Sequence, residues 1–154
     1  MLDGAFKGAI FAIATIGAAV GGGLAPAVVL AIGLGGLGAI GLAQAAQIFM
    51  ALKSSSEANY GSAMTVSSTF FGALILCGLF LLMAYLLPAE GAGVFTSAIV
   101  AACMFFAIGF LKSGETAAER WRSGLNTLVL GMAVGALAFG VGHTVKLMIA
   151  MSPD

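Results

Sequence analysis

The stretch "GAIFAIATIGAAVGGGLAPAVVLAIGLGGLGAIGLAQAAQIFMAL" (8–52) runs from Lys7 to Lys53 without one charged residue. Its 45 residues are roughly twice the ~20 that a single helix needs to cross a bilayer. The break falls at "GGGLAP" (21–26). Glycine loosens the end of one helix there, and Pro26 suits the first turn of the next. The run is therefore read as two spanning helices joined by a tight turn, over about 5–22 and 26–52.

The same logic extends outward. From Ala58 to Ala89 there is again no charge, and the most apolar part, 64–87, reads as a third span stopped by Pro88. A fourth follows at 94–111 and a fifth at 125–149. The chain is 61% hydrophobic and 8% charged, with a mean hydropathy of +1.14. That charge is too sparse to coat a water-soluble domain. The expectation is an all-α integral membrane protein with one five-helix domain over 1–154. The apolar sequence after Lys7 is too long for a cleavable signal, so none is expected.

Charge asymmetry orients the spans. With five crossings, Lys7, Lys53, Lys112, Arg120 and Arg122 share one side, and Lys146 alone occupies the other. The positive-inside rule then places the N-terminus in the cytoplasm and the C-terminus opposite. Tyr60 and Trp121 fall near the cytoplasmic boundary and Tyr85 near the other, as interfacial aromatics do. A bacterial inner membrane or an organellar membrane fits equally.

Several function classes drop out. Zero net charge and six basic residues speak against nucleic-acid binding. Cys77 and Cys103 lie in apolar runs without metal-ligand spacing and read as small fillers. No nucleophile–base pair, phosphate loop or Cys/His cluster occurs, so no enzyme, cofactor or resident metal is expected. His143, the single histidine, reads as a hydrogen-bonded interfacial residue, with a lone ligand or proton relay as the alternative. The eight methionines are scattered, which favours packing or lipid contact over a soft-metal site. "GETAAERWR" (114–122) reads as a short solvated interfacial helix in which Glu115 or Glu119 pairs with an arginine; the alternative is a docking site for a cytoplasmic partner. The six acids, Asp3, Glu57, Glu90, Glu115, Glu119 and Asp154, are all expected in loops or tails.

Twenty-three glycines let helix backbones approach closely in a bilayer. Small residues recur four apart at Gly4/Gly8, Gly17/Gly21, Gly131/Gly135 and Ala138/Gly142. The plain reading is packing within the chain, and the sharper one a self-association surface on the first or fifth span. Ser67, Ser68 and Thr69 offer hydrogen bonds to neighbouring backbone. Gln44 and Gln47, a turn apart in hydrocarbon, can bond across helices for roughly 1 kcal/mol, but they neither titrate nor carry charge. Weak cation coordination, or contact with another membrane subunit, are the other roles open to them.

"GGGLAPAVVLAIGL" (21–34), "GLAQAAQIFMALKS" (41–54) and "FLKSGETAAERWRSGLNTLVLGMAVGALAFGVG" (110–142) resemble the vacuolar iron transporter family, also called the yeast calcium-cross-complementer-like family. The resemblance implies five helices, an inward N-terminus, a homodimer and exchange of divalent metal for protons. It also implies an ion path that this chain does not reproduce. The family's Asp-Gly pair on the first helix falls on Lys7-Gly8. Its Asp, Met and Glu at i, i+4 and i+8 of the second helix, one stripe of that helix, fall on Ile40, Gln44 and Ile48. Its glutamate early in the last helix falls on Asn126. The acidic insertion that many members carry after the second helix is reduced to "KSSSEANYGSA" (53–63).

A carrier of Fe²⁺ or Mn²⁺ needs groups that replace the ion's hydration shell, and such cations want carboxylates. An intramembrane acid is costly and so marks function, yet the five expected spans hold none. A lysine at position 7 would repel a divalent cation. Pairing of two copies about this helix would set two lysines face to face, each needing a lipid phosphate, a partner's acid, or room to snorkel; read alone, Lys7 is an interfacial anchor. The sequence thus points to a transporter-like frame with a degenerate path, working as a structural or assembly subunit among other membrane subunits or as a homodimer. The alternative is a divergent metal transporter using Gln44, Gln47, Asn126 and thioethers. A rotary ATPase proteolipid is more remote, because that role needs a mid-membrane carboxylate.

Overall fold

A computed structural model describes residues 2–54, 60–86, 93–112 and 116–152. Five helices follow in order: α1 (Leu2–Gly22), α2 (Pro26–Ser54), α3 (Tyr60–Leu86), α4 (Gly93–Lys112) and α5 (Ala117–Met151). Each is long and apolar enough to cross a membrane. No strand occurs among the described residues. Expectations for Glu57, Pro88, Glu90, Glu115 and Asp154 lie outside the described residues.

The turn at 21–26 forms by complementary end signals. Gly23 takes φ +72°, a left-handed conformation that costs glycine nothing sterically. Its N–H donates to the Val20 carbonyl at 3.0 Å, and the Leu24 N–H donates to that of Ala19 at 2.8 Å. These paired bonds satisfy α1's last carbonyls as a Schellman motif. The Ala25 carbonyl then accepts from Val28 and Val29, which makes Pro26 the first residue of α2, where its missing N–H is harmless.

Helix α5 departs from expectation. It begins at Ala117 rather than near residue 125, so residues 117–122, read as part of a separate interfacial helix, supply the opening turns of a 35-residue helix. At 1.5 Å per residue that helix is ~52 Å long, well beyond the ~30 Å of a hydrocarbon core. The cause is local: Thr116 has an extended backbone, and its side chain accepts from the Glu119 N–H. Thr-Ala-Ala-Glu (116–119) is a capping-box sequence. Two acids also move. Asp3 and Glu119 lie in the first turns of α1 and α5 rather than in loops, at helix ends whose dipole favours negative charge.

Successive helices run in opposite directions, and α1 is the centre, touching all four others. Its apolar window is 44% buried, against 11% for that of α5. Near its start, a methyl group at Gly4 or Gly8 would overlap the Phe70 or Leu74 carbonyl of α3. Near its end, one at Gly17 or Gly21 would overlap the Gly135 or Phe139 carbonyl of α5. In return, Gly142 approaches the Ala18 carbonyl. The core fills from both sides of α1 with Ile16, Leu37, Leu74, Leu81, Leu82 and Phe105. Helices α2 and α5 do not touch each other; they stand on either flank of α1. Large apolar side chains such as Leu42, Leu76, Phe95 and Leu137 point outward, an apolar exterior that soluble monomers rarely present.

Candidate functional site

The alternating helices gather Asp3, Lys7, Lys53, Lys112, Glu119, Arg120 and Arg122 at one end of the bundle, with Lys146 at the other. At the crowded end α4 closes onto α1 through an ion pair, Lys112 Nζ to Asp3 Oδ1 at 2.6 Å, with both side chains more than half exposed. Nearby, Trp121 at the start of α5 packs its ring against Phe106 and Phe110 of α4.

Lys7 is an exposed charged side chain within a helix rather than at its tip. It lies five residues into α1, ~7.5 Å along the axis. Its ammonium donates to Gln44 Oε1 of α2 at 2.6 Å and stands 5.4 Å from the ring centroid of Phe70 on α3. Three helices thus meet at this cation, one through an amide, one through an aromatic face. Both partners are neutral. Asp3, one turn away on α1, is hydrogen-bonded to Lys112, which holds its carboxyl below the ordinary value, and the Lys7 charge adds a smaller pull in the same direction.

The sequence-read positions separate in space. Lys7 and Gln44 meet directly. Ile40 and Ile48 lie on the same face of α2, half-buried against the core. Asn126 is exposed on α5, a helix that α2 does not touch, so one chain does not bring it to the other four. Gln47 is also exposed and makes no side-chain bond among the described residues, so it does not join two helices as its neighbour does. Gly17 and Gly21 seat α5, Gly131 receives the ring of Phe105, and Gly135 faces Ile13. Ser67 and Ser68 bond carbonyls of their own helix rather than a neighbour's.

Other candidates are dispersed. His143 is exposed and stacks on Phe139, one turn back, at 6.2 Å. Lys146 extends its ammonium beside Gly23, where positive charge suits the C-terminal end of α1. Cys77 is half-buried and Cys103 exposed. No group of three or more His, Cys, Asp or Glu among the described residues could hold a metal ion.

Phe70 and the Asp3–Lys112 pair escaped sequence reading. Phe70 is 63 residues from Lys7, and nothing local marks a phenylalanine as the one beneath a cation. The α5 cap was legible in Thr-Ala-Ala-Glu. No family model, curated protein or solved structure matches the chain.

Proposed function

We propose that this chain is a multi-pass membrane protein with its N-terminus in the cytoplasm, built on a frame like that of the vacuolar iron transporters. Its ion path is degenerate, and it works as a structural or assembly subunit of a membrane complex. One contact carries this reading: the ammonium of Lys7 occupies the amide oxygen of Gln44 at 2.6 Å. The only group of the α2 stripe Ile40–Gln44–Ile48 able to coordinate a cation is thereby engaged by a fixed positive charge. A divalent ion entering there would have to displace the ammonium and then endure its repulsion, with no carboxylate in return. The flanking isoleucines contribute packing alone.

Reconstituted vesicles loaded with a metal-quenched dye, under an imposed proton gradient, provide the test. Fe²⁺ or Mn²⁺ entry no faster than in protein-free vesicles is expected. Gradient-dependent uptake of either ion would overturn the reading and favour a carrier built on amides and thioethers. Reporter fusions at each terminus check the orientation, which fails if both report the same side.

A further inference from the structure

We infer that the outer face of α1, between α2 and α5, is a binding slot for one anionic phospholipid, its phosphate on Lys7 and one acyl chain along α1. This goes beyond the proposed function and needs neither loss nor retention of transport.

Lys7, Phe11, Ala14 and Ala18 follow one another at i, i+4, i+7 and i+11, a single stripe of a helix. Because α2 and α5 do not meet, the part of this stripe from Phe11 to Ala18 is the floor of an open groove of about 480 Å³, walled by Ile32 on one side and by Ala138 and Val141 on the other; Lys7 lies one turn beyond Phe11. The floor is kept low by small side chains, and the ring of Phe11 leans over Gly36 of α2, where a larger residue would collide with it. The floor's hydroxyl, Thr15, is turned back onto the Phe11 carbonyl at 2.9 Å. The groove therefore presents hydrocarbon, and the Lys7 cation stands one turn beyond its Phe11 end.

Dimensions and charge choose the occupant. From Lys7 to Ala18 is eleven residues, ~16 Å along the axis, close to the ~15 Å depth of one leaflet's hydrocarbon. An acyl chain in the groove thus brings its headgroup level with Lys7. The ammonium has three donors. Gln44 takes one, and the others remain for phosphate oxygens, with the Gln47 amide exposed one turn nearer the helix end. A second copy of this chain is a worse fit. Seating it here about a two-fold axis would bring two Lys7 ammoniums together, and Asp3, the carboxylate one turn away, is already bonded to Lys112.

Native mass spectrometry of the purified protein, with phosphatidylglycerol or phosphatidylcholine added to the detergent, reads bound lipid and oligomeric mass together. The expected result is one phosphatidylglycerol per chain, retained at least tenfold better than phosphatidylcholine. Lys7→Gln should lose that preference, Lys7→Arg should keep it, and Ala18→Phe, which fills the groove and leaves the charge, should weaken it. Circular dichroism melts identify any variant that fails to fold, and Lys7→Arg and Ala18→Phe then decide independently of Lys7→Gln. Equal retention by folded Lys7→Gln, or no preference between the lipids, would overturn the site. So would displacement by millimolar inorganic phosphate, which would show a headgroup site without an acyl slot. A dimer that forms only in Lys7→Gln and excludes lipid would support the slot; a lipid-free wild-type dimer broken by Ala18→Phe would replace it with a subunit interface.

Discussion

Helices α1 and α5 share a composition: both are rich in glycine and alanine, and both carry small residues four apart. Their situations are opposite. Helix α1 is held on two faces, by α3 near its start and α5 near its end, so each of Gly4, Gly8, Gly17 and Gly21 lies under a neighbour's carbonyl. Helix α5 spends Gly131, Gly135 and Gly142 on one side, while Gly140 has open space and Leu137, Val141 and Met148 face outward. A small-residue motif states that a close approach is available. Which helix uses it depends on how many neighbours surround it.

The largest effects should come from filling the close contacts along α1. Gly8→Val and Gly21→Leu each drive a side chain into backbone that cannot rotate away, and each should cost more than about 3 kcal/mol or prevent folding. Thermal or denaturant unfolding in detergent reads the loss; a melting point within a few degrees of the parent would mean that α1 is not the centre of the bundle.

Gly38→Ala sharpens the comparison from the other direction. Nothing lies within 4 Å of a Cβ built at Gly38, so the substitution should be neutral or stabilise by up to ~1 kcal/mol through helix propensity. A clear destabilisation in the same melts would reveal a partner seated on α2.

Thr116→Ala should cost ~1 kcal/mol by removing the cap of α5. Faster amide exchange confined to residues 117–120 is the signature, and unchanged exchange there would mean the helix starts without its cap. The smallest effect is expected at the α1–α4 ion pair. Asp3→Asn should change stability by less than ~1 kcal/mol, because both partners are exposed, and the difference should shrink as salt is raised. A larger, salt-independent loss would place that pair in a drier setting than its exposure implies.

Much of the fold was legible because a bilayer-length helix is a property of contiguous residues. Lysines, glycines and Pro26 bracket the apolar runs closely, and the observed helices at 2–22, 26–54, 60–86 and 93–112 fall within about four residues of the sequence reading. The fifth helix was placed eight residues late because its polar opening turns carry the charge that hydropathy treats as loop, while Thr116 and Glu119 supply the cap that extends it. The candidate site was half legible. Lys7 and Gln44 stood out as polar groups in apolar surroundings, but their contact joins positions 37 residues apart.

By itself, the amino-acid order determined how many helices there are, where the first turn falls, and that no acid lies deep within an apolar run. Those features arise from charge spacing and backbone chemistry within a few residues of each position. Only the tertiary structure decided that α1 is the centre, that α2 and α5 stand apart on its flanks, and that Lys7 meets an amide and a ring rather than a carboxylate. Helix neighbours are chosen by surfaces meeting across tens of residues, and five apolar helices of similar composition leave that choice to shape.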